Sequence, residues 1–222
     1  MAAIQLDRDG AVWTLTLANG ENRLDDEVLT QWHAALDTVV AEPGNGALVI
    51  TSADPKFWSN GIDLKFIESS GGIPFLMQEF VPRVDRLLRR LALFELPTVA
   101  ALGGHTYAGG ALLASACDFR VMRSDRGWFC FPEIDLKLPL TETMVEVIRL
   151  LPNPQLGWEM AMTGRPVGGD EAARLGLVDE AVAGEEVLAA ALVRARELAK
   201  KDRQTYATIK RRWRRDMAAL DR

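Results

Sequence analysis

The sequence predicts an α/β core followed by a helical C-terminal region. Strand-like and helix-like patterns alternate over the first two-thirds of the 222 residues, whereas helical spacing dominates after Pro139. No low-complexity linker and no repeat of fixed period interrupts the chain. The length therefore fits one sizeable domain with at most a small appendage.

The first half of the chain combines strand and helix patterns. Alternating side chains around Asp9-Gly10 predict a β-hairpin, and the helical patterns place apolar residues three and four positions apart. The predicted elements are, in order, a hairpin at 4–7 and 12–17, a helix at 25–40, a strand at 47–52, a loop containing Pro55, Trp58 and Gly61, and a helix at 73–94 that Pro97 stops.

The second half begins with strands around a glycine-rich loop and ends in helices. The predicted elements are a strand at 98–102, a loop at 103–110, a buried helix at 111–117, strands at 119–122 and 128–131, short helices at 141–151, 154–163 and 170–175, and longer amphipathic helices at 185–200 and 204–220. We divide the chain into a catalytic core at 1–180 and a C-terminal helical segment at 181–222.

Composition excludes several classes of protein. With 48% hydrophobic and 26% charged residues, a packed globular core is expected rather than disorder. The apolar runs are too short to cross a bilayer and no secretory leader is evident, so we expect a soluble, cytoplasmic protein without a membrane partner. Cys117 and Cys130 lie in apolar segments and are expected to be buried thiols, and isolated His33 and His105 favour neither a metal site nor a histidine triad.

Charge is distributed unevenly along the chain. Residues 200–222 contain nine Lys or Arg and three Asp or Glu, a net charge of +6, whereas the remaining residues carry −11. Such a tail is compatible with a nucleotide phosphate or a nucleic acid, but a solvated helix face explains it equally well. Tyr206, Ile209 and Trp213 keep helical spacing within the tail and are interpreted as packing residues rather than as a platform for bases.

Three local motifs carry residues suited to chemistry. In residues 56–65, Gly61 allows close backbone approach before a helix start, although Asn60 and Asp63 could equally be turn and capping residues. In residues 103–111, a glycine-rich loop leads into a helix of small side chains, which suits either an anion-binding amide or tight helix–sheet packing. Glu133 lies among apolar residues that would raise its pKa and suit it to general-base work, yet it could also be a surface glutamate.

Together the motifs resemble the crotonase superfamily, the enoyl-CoA hydratase/isomerase family, over essentially the whole chain. The resemblance rests on S-N-G-I-D-L-K at 59–65, G-G-H-T-Y-A-G-G-A at 103–111, C-D-F-R at 117–120, F-P-E-I at 131–134 and M-T-G-R-P-V-G-G-D-E-A-A-R-L-G-L-V-D-E at 162–180. It implies the crotonase (ClpP/crotonase-like) fold, with a core of ββα repeats, and a homotrimer or dimer of trimers.

The resemblance also implies roles for individual residues. The amides of Ile62 and Gly109 fall where the family places its oxyanion hole, and Glu133 matches the second glutamate of the hydratases. The first glutamate is replaced by Leu112. Lys65 matches a basic position near the CoA nucleotide. The predicted substrate-binding residues are Asn60, Gly61, Asp63, Lys65, Gly110 and Leu112.

The missing glutamate favours isomerisation over hydration. Activating a water molecule needs two carboxylates, whereas one carboxylate can take a proton from C2 of a 3-enoyl-CoA and return it to C4. The sequence is most similar to single-glutamate Δ3,Δ2-enoyl-CoA isomerases of plant type, which implies a role in fatty-acid β-oxidation and no cofactor beyond the coenzyme A of the substrate. The alternatives are hydration or another crotonase reaction with Asp63 or Asp135 as the second carboxylate, and a non-catalytic acyl-CoA or nucleic-acid binding protein.

Overall fold

The computed structural model describes residues 2–221, and its centre is a six-stranded sheet in the order β1-β2-β3-β5-β7-β9. The strands are β1 (Ile4–Asp9), β2 (Val12–Leu17), β3 (Ala47–Ser52), β4 (Phe57–Ser59), β5 (Thr98–Leu102), β6 (His105–Tyr107), β7 (Phe119–Arg123), β8 (Phe129–Cys130) and β9 (Glu180–Val182). β1 and β2 form an antiparallel hairpin, as predicted, and the remaining neighbours in this sheet are parallel. All six strands predicted from alternation or apolar runs are confirmed.

A smaller parallel sheet lies beside the first, in the order β4-β6-β8. β3, β5 and β7 of the large sheet are each followed in the chain by one strand of this small sheet, which gives the repeated ββα arrangement of the predicted fold. Residues 57–59 and 105–107 were predicted to be loops, and the structure corrects both. Strands of three residues are too short to show the alternation on which the prediction depends.

Helices cover the sheets and make up most of the C-terminal third. They are α1 (Asp26–Ala41), α2 (Leu64–Ser69), α3 (Gly72–Phe75), α4 (Val81–Ala92), α5 (Gly109–Ala116), α6 (Glu142–Arg149), α7 (Pro154–Thr163), α8 (Gly169–Arg174), α9 (Val187–Leu198), α10 (Arg203–Trp213) and α11 (Arg215–Leu220). The helix predicted at 204–220 is broken at Arg214, whose backbone leaves the helical region at φ −95° and ψ 41°.

The helix predicted at 73–94 contains a π-helical turn at Leu76–Phe80 between α3 and α4. The Val81 amide donates to the Leu76 carbonyl, five residues back. Pro82 follows at once and has no N–H to donate to the Gln78 carbonyl, so it provides a local reason for the wider turn.

The C-terminal segment packs against the large sheet. β9 pairs with β7, and it lies across the predicted boundary between residues 180 and 181. Apolar residues of α9 form a second buried cluster with the face of β3, β5 and β7, and this cluster includes Val187, Ala191 and Ala195. The division into a core and a helical segment stays a prediction. Both cysteines are buried and free, as predicted.

Candidate active site

Two loops that follow strands of the small sheet meet at one point. Gly61, between β4 and α2, has φ +74°, and a Cβ at this position would lie 2.8 Å from the Gly109 nitrogen. Only glycine combines this left-handed conformation with so close an approach. The Gly61 backbone therefore lies directly beside the first residue of α5.

The amide of Ile62 faces this meeting point. Leu24 pairs with Ile62 in an isolated parallel bridge, in which the Leu24 N–H donates to the Gly61 carbonyl (2.8 Å) and the Asp63 N–H donates to the Leu24 carbonyl (2.9 Å). Successive peptide groups of an extended chain point in opposite directions, so the Ile62 N–H points away from Leu24. A Cβ on Gly109 would lie 3.7 Å from the Ile62 nitrogen.

The second amide begins α5. Ala108, the residue before it, has φ +50° and ψ −123°, a conformation that costs energy for any residue with a Cβ. Gly109 is the first residue of the helix, so its N–H has no intrahelical acceptor. Within residues 2–221, neither Ile62 nor Gly109 donates a backbone hydrogen bond from its N–H. The loops thus present two neighbouring free amide donors.

These amides open onto a cavity of about 210 Å³. Its walls are mainly apolar, and its polar side chains are those of Arg23, Asn60, Tyr107 and Glu133. The remaining lining residues are Ile62, Leu64, Leu76, Met77, Val81, Val84, Ala108, Gly109, Leu112, Pro132, Leu136, Leu138, Pro139 and Met144. The cavity suits a mostly apolar ligand that carries one group able to accept hydrogen bonds.

Glu133 is placed by a turn after β8. The Leu138 N–H donates to the Glu133 carbonyl at 3.0 Å, and the Asp135 N–H donates to the Pro132 carbonyl at 3.0 Å. Burial raises the pKa of the Glu133 carboxyl to about 7. Its Oε2 atom is buried and has no hydrogen-bond partner among residues 2–221. A buried carboxyl with a free oxygen and a pKa near neutrality can both accept and donate a proton.

No second carboxylate lines the described cavity. Leu112 does line it and is 1% exposed, so the position that the resemblance matches to the first hydratase glutamate is apolar here. Of the two alternative carboxylates, Asp63 caps α2 by accepting from the amides of Lys65 and Phe66. The Asp135 carboxylate lies against Gly164 instead.

The other predicted binding residues occupy different places. Asn60 lines the cavity, and its Nδ2 donates to Glu21 Oε2 (3.1 Å). Lys65 is exposed on α2 and does not line the cavity. Gly110 packs α5 against the small sheet, since a Cβ there would lie 2.5 Å from the Ser59 carbonyl oxygen. Asp63 therefore caps a helix and Gly110 packs a helix against a sheet. These are the structural roles that the sequence offered as alternatives to substrate binding.

Two polar cavity residues were missed in the sequence, besides most of the apolar lining. Arg23 lines the cavity and pairs with Glu21 (2.7 Å). Tyr107 lies in the glycine-rich loop and also lines the cavity, yet only its position beside Ala108 could have drawn attention to it. Arg23 comes just before α1, where no sequence pattern points to a site.

The basic tail exposes fewer of its positive charges to solvent than its composition indicates. Lys210 and Arg214 are buried beside Asp118, with side chains 4% and 9% exposed. Arg211, Arg212 and Arg215 remain exposed. The interpretation of Ile209 and Trp213 as packing residues is wrong for this chain alone, because they are 61% and 86% exposed.

In residues 2–221, no cluster of three or more His, Cys, Asp or Glu side chains could hold a metal ion. No helix in the same range combines the length and the apolar character that crossing a membrane requires.

The fold and the paired glycine loops define a known class of protein. Residues 7–221 match the model of the enoyl-CoA hydratase/isomerase family, and the chain belongs to this family. The predicted crotonase fold and the resemblance to this family are confirmed.

Three relatives illustrate the range of the family. The chain is 31% identical to peroxisomal enoyl-CoA delta isomerase 2 of Arabidopsis thaliana, over 93% of this chain and 90% of the relative. It is also 31% identical to carnitinyl-CoA dehydratase of Escherichia coli K12, over 89% of this chain and 73% of the relative. The crystal structure of a probable enoyl-CoA hydratase from Mycobacterium tuberculosis H37Rv superposes with a TM-score of 0.87, at 26% identity, covering 98% of this chain and 90% of that one.

Proposed function

We propose that the protein is a Δ3,Δ2-enoyl-CoA isomerase with Glu133 as its only acid-base group. The observation that carries this proposal is the combination of one carboxyl, whose Oε2 is buried and unpartnered, with Leu112 at the position of a second one. A delta isomerase is among the relatives that match most of the chain. The substrate is a 3-enoyl thioester of coenzyme A, and the reaction needs no further cofactor.

The proposed reaction moves one proton and one double bond. The Glu133 carboxylate takes a proton from C2, and the electrons of that C–H bond delocalise over C2–C4 and the thioester oxygen as a dienolate. The protonated carboxyl then donates the proton to C4, the double bond shifts to C2–C3, and the carbonyl re-forms. A pKa near 7 suits both transfers, because neither protonation state is rare at neutral pH.

The dienolate oxygen is proposed to accept hydrogen bonds from the Ile62 and Gly109 amides. These donors are free and adjacent, and they open onto the cavity that contains Glu133. Preorganised donors stabilise charge that develops in the transition state, and the loss of one donor costs about 3–4 kcal/mol in other enzymes. The mainly apolar lining suits the acyl chain and disfavours water beside the reacting carbons.

A second candidate is hydration or dehydration of an acyl-CoA. It is favoured by the carnitinyl-CoA dehydratase among the relatives. It is disfavoured by the apolar Leu112 and by the positions of Asp63 and Asp135, which leave Glu133 without a partner for activating water.

The experiment that separates the two candidates is a product analysis. The purified protein is incubated with 3-hexenoyl-CoA and, separately, with 2-hexenoyl-CoA, and the products are identified by mass spectrometry and chromatography. Isomerisation converts the first substrate to 2-hexenoyl-CoA without a mass change. Addition of water to the second substrate at a comparable rate would instead favour a hydratase.

Several features of the wider setting are also proposals. We infer that Lys65 and the exposed arginines Arg211, Arg212 and Arg215 help to hold the CoA phosphates, since each is free of the buried ionic cluster. Neutralising the arginines should raise KM more than it lowers kcat. The homotrimer, the role in β-oxidation and the cytoplasmic location remain predictions. Light scattering of the purified protein tests the trimer. Imaging of the tagged protein in its own cells tests the location, since the Arabidopsis relative is peroxisomal.

A further inference from the structure

The C-D-F-R motif at 117–120 lies at the far end of the helix that starts with Gly109. Arg120 is 1% exposed, and its Nη1 donates to the carbonyls of Ala114 (3.2 Å) and Cys117 (2.9 Å). These groups are at the C-terminal end of α5, where helix carbonyls have no intrahelical donor and carry partial negative charge. One guanidinium therefore caps the helix from its own chain segment.

A second guanidinium reaches the same helix end from the C-terminal tail. Arg214 Nη1 donates to the carbonyls of Ala92 (2.6 Å) and Ala116 (3.0 Å). Ala92 is the last residue of α4, and Ala116 is the last residue of α5. A single side chain thus ties the C-terminal ends of both helices together.

Asp118 holds these tail residues in place. Its carboxylate lies 3.0 Å from Arg214 Nη2 and 2.7 Å from Lys210 Nζ, and it accepts from the Thr98 amide at 2.9 Å. Lys210 Nζ also donates to the carbonyls of Phe94 (2.7 Å) and Leu96 (2.9 Å), just beyond α4. The cluster is buried, and removing one member would leave charges and carbonyls unpaired.

The opposite ends of the same two helices line the cavity. α4 contributes Val81 and Val84, and α5 contributes Gly109 and Leu112. An α-helix rises about 1.5 Å per residue, so the Arg214 contact on the eight-residue α5 lies roughly 12 Å from the Gly109 amide. Because a hydrogen-bonded helix moves as a rigid unit, a slip at its clamped end displaces its first amide.

We propose that Arg214 is a positioning residue for the reaction: with Asp118 and Lys210 it clamps the ends of α4 and α5 and so fixes the Gly109 amide against the thioester oxygen. This inference rests on the proposed function, in which that amide is an oxyanion donor. The C-terminal helices then act on catalysis from within the subunit, without touching substrate.

The test compares Arg214→Met and Arg214→Lys with a control, Arg196→Met. Arg196 is an arginine on α9 whose exposed ion pair with Asp9 (3.1 Å) lies away from the cluster. The methionine variant should lower kcat by about ten- to a hundredfold with little change in KM, since a displacement of about 1 Å can cost a hundredfold. The lysine variant keeps the charge but not the forked geometry, so it should fall between parent and methionine. The control should retain the parental kcat.

Structural loosening alone is distinguished by a second measurement. Spectra of ¹⁵N-glycine-labelled protein should show the Gly109 and Gly110 amide signals shifted in both Arg214 variants, with the signals of Gly10 and Gly20 unmoved. If kcat per folded molecule and the Gly109 signal both match the parent well below the melting temperature, the positioning role is wrong. If Arg214→Met does not fold, the lysine variant decides on the same two readouts. If the parent does not isomerise 3-hexenoyl-CoA, the proposed function fails, and the Gly109 signal alone decides on the clamp.

Discussion

The two sides of the cavity use different parts of the polypeptide, backbone groups on one side and a side chain on the other. The proposed oxyanion side consists of backbone amides in two glycine-bearing loops, each of which follows a strand of the small sheet. The proposed acid-base side depends on one side chain, Glu133, in a turn after β8. A backbone donor cannot be deleted by substitution but only displaced, whereas a carboxyl can be removed with little change of shape. The two sides therefore differ in how substitutions will affect them.

The largest loss of activity is expected from a substitution on the acid-base side, the side-chain half of the site. Glu133→Gln keeps the size of the side chain but removes the base, so isomerisation should fall by well over about a hundredfold. Substrate should still bind, because the thioester still meets the amides of Ile62 and Gly109. The measurement is the rate of 2-enoyl-CoA formation at saturating substrate. A rate within a few-fold of the parent would falsify the assignment of Glu133 as the base.

A smaller but still large loss is expected on the backbone half. In Gly61→Ala the new Cβ would lie 2.8 Å from the Gly109 nitrogen, and the residue would have to keep φ +74°. Displacing the two amides should lower kcat by about ten- to a thousandfold. Gly109→Val should lower kcat too, but for another reason: a Cβ there makes ordinary contacts, 3.4 Å from Gly61 Cα and Leu24 Cδ1, and the two γ methyl groups beyond it would crowd the amides.

The matched control for Gly61→Ala is Gly20→Ala. Gly20 has φ +56° and open space around it, so this variant carries the same conformational penalty without the collision. Both variants should lose some stability, roughly 1 kcal/mol from the backbone alone. Only Gly61→Ala should lose activity at a temperature where both are folded. Equal kcat values would show that the two amides do not act on the substrate.

The pH dependence of the rate tests the acid-base half without changing the sequence. With the pKa of Glu133 raised to about 7, the ionised base becomes scarcer below neutrality. The value of kcat/KM should therefore fall about tenfold per pH unit on the acid side of the profile. A profile that stays flat down to about pH 5 would mean that the carboxyl has an ordinary pKa or that another group is the base.

The same site separates what the sequence could predict from what it could not. Gly61, Gly109 and Glu133 could be predicted because the motifs that contain them resemble those of a known family. Local sequence alone left a turn, helix–sheet packing or a surface glutamate as equally acceptable readings. Arg23 and Tyr107 could not be predicted, since a cavity wall assembled from distant segments leaves no local pattern. The three-residue strands β4, β6 and β9 were missed because short elements depend on tertiary pairing rather than on periodicity.

In the basic tail, too, local sequence could not predict which charged residues are buried. Composition placed Lys210 and Arg214 with the exposed arginines, because all of them lie in one basic run. Burial separates them: Asp118, which lies far earlier in the chain, cannot be recognised as their partner from local sequence. Long-range ion pairs of this kind are visible only once the fold is known.

The last expected effect concerns stability rather than rate, and it follows from the cost of keeping the Glu133 carboxyl buried. Its folded pKa of about 7 lies above its ordinary value of 4.5, so the folded protein binds this proton more tightly than the unfolded chain does. The stabilisation is therefore complete below about pH 4.5 and is lost as the pH rises through about 7. Glu133→Gln has no such dependence at this position. Its free energy of unfolding, relative to the parent, should rise over this interval by at most about 3 kcal/mol.

Denaturant titrations of parent and Glu133→Gln at several pH values measure this difference. Asp85, whose pKa is also raised by burial, titrates in both proteins and cancels in the comparison. Leu112→Glu provides the opposite case, because a second buried carboxyl beside Glu133 should steepen the loss of stability at high pH. If the parent and Glu133→Gln keep parallel stability curves from acid to neutral pH, the carboxyl is solvated and is not poised for proton transfer. The side-chain half of the site would then lose the property that sets it apart from the backbone half.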